Sequence, residues 1–293
     1  MDPVAGLLIM SIAMFMGCYG SGYIPLKMPM SEDRLEMMTT LGAGLLVGTA
    51  LAVIIPEGVN TLFSMPHVHK VSPSEPHDEV AHEESSQMEP HVLIGPSLLF
   101  GFLFMLLIDR FSGGHRAPAD AESNGSGRSS RPFTATLGLV VHAAADGIAL
   151  GAAAASSQTD VEMIVFFAIM LHKAPAAFGL VTFLMHAGLD KNKIHRHLII
   201  FALAAPIGTV LTYSGIMQSG TASLSSSRST GIALLFSAGT FIYVSIVHVL
   251  PELSSHSHDV GGGGGIDHLS RTQLFFLIVG FLLPLVLSIE HHH

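Results

Sequence analysis

Eight runs of apolar residues, each near the length that crosses a lipid bilayer, constrain this chain more than any other feature. The hydrocarbon core of a bilayer is about 30 Å thick and takes about 20 helical residues to span. The runs lie near residues 4–24, 38–60, 92–109, 134–155, 161–187, 198–217, 230–250 and 273–289 of a 293-residue chain. A composition that is 49% hydrophobic and 12% charged, with a mean hydropathy of +0.55, is not that of a soluble globular protein. The expected class is therefore an all-α polytopic membrane protein with eight transmembrane helices. The first run is read as a retained helix, because no small-residue cleavage site follows it.

Basic residues set the expected orientation, since Lys and Arg near membrane ends stay on the cytoplasmic side. Lys27, Arg34, Arg110, Arg116, Arg128, Arg131, Lys191, Lys193, Arg196 and Arg271 fall in the odd-numbered loops, against Lys70 and Arg228 in the even ones. This bias puts both termini on the extracellular or lumenal face. The chain reads as one transmembrane unit, 1–293, with two polar insertions. Residues 64–91 form a His-rich outer loop that carries His67, His69, His77, His82 and His91 among acidic residues. It reads equally as a weak divalent-metal collector or as a solvated acidic segment. Residues 111–132 are a Gly, Ser, Pro and charge-rich flexible cytoplasmic loop. The lone Cys18 excludes an internal disulfide framework. A net charge of −9, with no basic patch, points to no nucleic acid as a partner.

The chemistry lies in the fourth and fifth runs. "LGLVVHAAADGIALGAAAA" is almost wholly apolar or small, yet it carries His142 and Asp146. Residues four apart share a helix face, so imidazole and carboxylate project together. "FFAIMLHKAPAAFGL" places His172 and Lys173 near the middle of the next run, beside Pro175. Ionisable groups at mid-membrane cost a few kcal/mol on insertion scales, roughly, and normally face a bundle interior where they pair or bind something. A buried hydrogen-bonded network that glues helices together is the bland reading, with Lys173 paired to Asp146. Metal or proton handling is the sharper one. Two nitrogens and an oxygen suit zinc above all, with Fe2+, Mn2+ or Cd2+ as alternatives. No HExxH, serine elbow or substrate-orienting set accompanies them, so an enzyme is not expected.

"HAAADGIALG", followed one run later by "HKAPAAFG", together with "GAGLLVGTALAVIIPEG" and "SAGTFIYVSIVHVLPEL", resembles the ZIP (Zrt/Irt-like, solute carrier family 39) zinc transporters. The likeness covers all eight runs in order and is greatest toward the Golgi and cell-surface subfamily. It implies a 3+2+3 inverted-repeat fold in which helices 1, 4, 5 and 6 move against the other four as an elevator. "AVIIPEG" in the second run and "VHVLPEL" in the seventh are an internal echo of such a repeat. The resemblance also implies uptake of Zn2+ into the cytosol from outside the cell or from a Golgi lumen. Zinc is then the transported substrate, and no tightly held cofactor is expected. Residue by residue, His142, Asp146 and His172 match the family's metal ligands.

Departures from the family pattern are informative. Relatives place further ligands where this chain has Ala143, Lys173-Ala174-Pro175-Ala176 and Ala205. Those losses remove most of a second, adjacent metal position, and Lys173 would put an ammonium there instead. A mononuclear site is therefore expected. Glu57 is assigned to the access route, at the outer end of the second run. His248 and Glu252 are assigned to the exit route, followed by His256 and His258. The same subfamily implies an alternative function, a membrane steroid (androgen) receptor signalling through a G protein. The small-residue faces around Gly42, Gly44 and Gly48 suit either a homodimer or internal packing. Golgi, trans-Golgi network and plasma membrane are the expected locations. The terminal His291, His292 and His293 are left out of the mechanism.

Overall fold

The computed structural model describes residues 3–28, 31–63, 90–113, 130–156, 159–219, 227–251 and 270–290. All regular structure among them is helical. The helices are α1 (Pro3–Lys27), α2 (Glu32–Thr49), α3 (Ile55–Phe63), α4 (Pro90–Gly113), α5 (Ser130–Ala155), α6 (Thr159–His186), α7 (Lys191–Ser219), α8 (Ser227–Val244) and α9 (Arg271–Glu290). A π turn over Ala50–Ile54 joins α2 to α3, so the two form a single span, Glu32–Phe63. Among the described residues seven spans are long and apolar enough to cross a membrane, and α9 adds the shorter apolar stretch Arg271–Val286.

Each helix overruns its apolar run where polar residues continue the backbone pattern. The sixth run begins at 198, but α7 starts at Lys191, because Lys193 and Ile194 N–H groups donate to the Asp190 carbonyl at 2.9 and 3.0 Å. Hydropathy marks the part of a helix that lipid must cover, whereas hydrogen bonding sets its length. The polar loops shorten accordingly: α4 ends at Gly113 and α5 begins at Ser130. The remainder of 111–132, and all of 64–91 before Pro90, lie outside the described residues.

The two π turns have one cause. Pro56 and Pro251 lack an N–H and clash with the carbonyl four residues earlier, so the preceding turn widens. Ile55 N–H reaches back five residues to the Ala50 oxygen, and Leu250 N–H to the Ser245 oxygen. The register that pairs Pro56 with Pro251 also pairs Gly44 with Gly239. Those glycines play equivalent parts: a Cβ on Gly44 would meet the Leu277 oxygen and Gly280 Cα of α9, and one on Gly239 the Leu98 oxygen and Phe102 nitrogen of α4. Helix packing repeats the relation. α1 packs on α6 as α7 does on α5, α2 on α9 as α8 on α4, and α2 on α6 as α8 on α5. The inverted repeat hinted at by the two PE motifs is thus carried by the whole bundle.

Two groups of helices result. α1, α5, α6 and α7 pack on one another; α2, α3, α4, α8 and α9 form the rest. Within each group, glycines let backbones come close. Gly147 and Gly151 of α5 admit Ala205, Thr209 and Tyr213 of α7, while Gly208 of α7 admits Ala144 and Gly147. The expected small-residue face around Gly42, Gly44 and Gly48 is filled from within: Gly42 meets Gly179 and Thr182 of α6, and Gly44 and Gly48 meet α9. Large apolar side chains such as Phe100, Phe111 and Leu211 face outward, as lipid contact requires.

A Gly44→Leu change should drive α9 from α2, because the added side chain has only backbone to displace. Overpacking of this kind costs about 1–3 kcal/mol. Fluorescence-detected size exclusion of the tagged chain should show a markedly smaller monodisperse peak, whereas Gly6→Leu, where nothing lies within 4 Å of an added Cβ, should leave it unchanged.

Candidate metal centre

His142 and Asp146 stand on one face of α5, and His172 projects from the middle of α6, which packs beside it. His142 and His172 are each 1% exposed and Asp146 is 0% exposed. Both imidazoles approach the same carboxylate oxygen: His142 Nε2 lies 3.3 Å and His172 Nε2 3.1 Å from Asp146 Oδ2. One ligand atom from each residue lies within 4.8 Å of the others. Zn–N and Zn–O bonds of about 2.0–2.1 Å put neighbouring ligand atoms of a tetrahedron about 3.3 Å apart. The two imidazole–carboxylate spacings are of that size, and the three ligand atoms together lie within 4.8 Å of one another.

Ser237 of α8 holds this set from outside. Its Oγ donates to Asp146 Oδ1 at 2.6 Å and lies 2.7 Å from His142 Nδ1. The Ser237 carbonyl lies 3.2 Å from the same Nδ1. A carboxylate only accepts, and a hydroxyl has one proton to give. With that proton on Asp146, His142 Nδ1–H donates to the Ser237 oxygens. His142 Nε2 then turns a lone pair toward the site, the tautomer a metal needs. Phe241, one turn along α8, covers the imidazole with ring centroids 4.3 Å apart. His172 is held less tightly, for its Nδ1 has no hydrogen-bond partner among the described residues.

Lys173 does not pair with Asp146. It is 1% exposed, its Nζ has no hydrogen-bond partner among the described residues, and it lies over the Phe201 ring of α7, 5.0 Å from the centroid. Phe201 and Ala205 share a face of α7, one turn apart, so the ammonium points toward the part of α7 that carries Ala205. Ala143, Ala176 and Ala205 are all buried.

The residues that the sequence reading assigned to access and exit are separate from this cluster. Glu57 is half-buried and accepts from Thr61 Oγ1 at 3.4 Å. It stands well inside the span, because α3 continues to Phe63. Gly58 abuts Leu235 of α8, two residues from Ser237, so Glu57 lies closer to the level of the metal centre than to the helix end. His248 lies in the π turn Ser245–Val249, with Nε2 3.5 Å from Asp109 Oδ1 of α4; Tyr243 Oη donates to Asp109 Oδ2 at 2.8 Å. Glu252, His256 and His258 lie outside the described residues. Sequence reasoning missed Ser237, Asp109 and Tyr243. The "SAG" triplet and an acid closing the third apolar run were the available signals.

A family model described as "ZIP Zinc transporter" matches residues 5–131 and 112–288. Zinc transporter ZIP9-A of Xenopus laevis is 53% identical over 308 aligned residues that cover all of both chains. Zinc transporter ZIP9 of Micropogonias undulatus is 51% identical over 313, again covering both chains in full. Zinc transporter ZIP1 of Takifugu rubripes is a more distant relative, 26% identical over 176 residues, 60% of this chain and 52% of that one.

A buried ammonium without an acceptor is a stability liability, and replacing such a group by an apolar one of similar shape is often neutral or stabilising by about 1–4 kcal/mol. Metal-free Lys173→Met should therefore melt at the same or a higher temperature than the parent. Cys18, buried in α1, supplies the readout through a thiol-reactive fluorophore. A lower melting temperature would mean that the ammonium is anchored by more than Phe201.

Proposed function

Because the chain belongs to the ZIP zinc transporter family, we propose that it carries Zn2+ into the cytosol through one intramembrane site made by His142, Asp146 and His172. The observation that carries this reading is the convergence of three buried ligand atoms inside the bundle. A carrier must release its cargo, and three protein ligands with water completing the shell bind less permanently than a closed structural site. The relatives named above are zinc transporters by name, and the donor set suits zinc; Cd2+, Fe2+ and Mn2+ are weaker candidates.

The site is mononuclear, with Lys173 supplying the charge of a second cation. Support comes from the alanines at positions 143, 176 and 205, which offer no ligand, and from the ammonium directed at the face of α7 that carries Ala205. Two divalent ions a few ångströms apart in a poorly polarisable interior repel strongly, and a tethered cation is a compact replacement. The group α1, α5, α6 and α7 carries the ligands on α5 and α6 and shifts against the remaining helices, in elevator fashion. Glu57 serves the access route, and His248 and Glu252, joined by Asp109, serve the exit. Golgi and plasma membranes, with ions drawn from lumen or exterior, follow from the resemblance to the subfamily.

Proteoliposomes loaded with a zinc-sensitive dye test the reading. Saturable uptake should fall more than about 100-fold in a His142→Ala/Asp146→Ala variant, since loss of a ligand's orienting partner alone costs about 10–100-fold. A folded double variant with parental uptake would overturn it and move weight to a receptor that binds a steroid and signals through a G protein. Metal counting on the same preparation should find one tightly held core ion per chain. Two would refute the mononuclear site.

A further inference from the structure

We propose that Ser237 of α8 sets the metal affinity of the centre and makes that affinity depend on how α5 is seated against α8. The proposal rests on the reading of His142, Asp146 and His172 as the transport site. Ser237 is 0% exposed, and its hydroxyl is placed on that site: Oγ reaches Asp146 Oδ1 at 2.6 Å, His142 Nδ1 at 2.7 Å and the His142 carbonyl at 3.3 Å. Thr240 Oγ1 donates to the Ser237 carbonyl at 2.7 Å, so that oxygen is shared between the α8 turn and His142 Nδ1. Phe241, on the same face of α8 as Ser237, closes over the imidazole.

One residue thus performs two tasks. By donating to Oδ1, it fixes the carboxylate so that Oδ2 faces the two imidazoles. By accepting from Nδ1–H, it selects the His142 tautomer whose Nε2 can ligate. Both tasks cross from one helix group to the other, since the ligands belong to α5 and α6 while Ser237 belongs to α8, which packs on α4 and α3 as well as on α5. A shift of α5 along α8 by two residues' rise, about 3 Å, lengthens these bonds beyond hydrogen-bonding range and leaves Asp146 and His142 unoriented. Affinity is high when the helices are seated as seen here and falls when they move. The ion is released by the movement that exposes it, with no separate trigger.

The test compares the full chain with Ser237→Ala and Ser237→Thr, with His142→Ala as the control for the site. Zn2+ affinity is read by competition with a chelating dye in detergent, and KM and Vmax for Zn2+ uptake in proteoliposomes. Ser237→Ala should raise both the dissociation constant and KM by about 10–100-fold, with Vmax held or increased because release is eased. Ser237→Thr, which keeps the hydroxyl, should recover most of the loss. Parental affinity and KM in Ser237→Ala would overturn the proposal. A fall in Vmax or in folded protein with KM unchanged would do so too, since it marks a packing role only. If the alanine variant fails to fold by Cys18 melting, Ser237→Gly carries the same test. Parental affinity in His142→Ala would instead refute the site assignment itself, which separates failure of the two readings.

Discussion

Asp146 is a carboxylate with no exposure at the middle of an apolar helix, and the surrounding architecture can be read as the set of conditions that let it remain there. An uncompensated charge at that depth costs several kcal/mol, roughly, and is tolerated only where partners are brought to it. α5 provides His142 on its own face, α6 provides His172, and α8 provides the Ser237 hydroxyl. Three helices are thereby committed to one point. The glycines of α5 then allow α7 to seal the opposite side without a gap. Without an ion the carboxylate oxygen lies close to a ring nitrogen of each imidazole; in the proposed reading the same three atoms become the ligands of Zn2+.

Much of this was legible in the sequence, and the reasons are specific. Apolar runs located the eight apolar helical segments among the described residues, seven of them long enough to cross a membrane, because lipid imposes a length that soluble helices need not obey. The spacing of His142 and Asp146 fixed their common face, and His172 lay at a matching depth on the next span. What the sequence did not disclose was azimuth. A helix apolar on every side gives no periodic signal for which face meets which neighbour. The Ser237 contact, separated from its partners by more than ninety residues, was invisible for that reason. The packing of Lys173 was open on the same ground: a pair with Asp146 was the bland reading, whereas the ammonium lies over Phe201. Glu57 was read at the outer end of its helix because Asn60 and Thr61 end the apolar run, but the helix continues to Phe63.

Internal symmetry organises the bundle around the buried centre. Equivalent glycines on α2 and α8 receive α9 and α4, and equivalent prolines widen the helix at the same register. The proposed metal ligands do not follow the symmetry. Asp146 has no acidic counterpart on α6, and Ser237 corresponds to Gly42 on α2, which has no hydroxyl to offer. A repeated scaffold therefore holds a centre whose chemistry is one-sided.

The π turns themselves separate the two halves of a span. Each inserts the equivalent of one extra residue into the helical count, which rotates everything beyond it by about 100° relative to an uninterrupted helix. The first half of the Glu32–Phe63 span turns Gly44 and Gly48 to α9, while the half beyond the turn offers Gly58 to α8. A single unbroken helix could not present both faces in those directions. The wide turn acts as a fixed angular offset, letting one membrane crossing satisfy two unrelated neighbours.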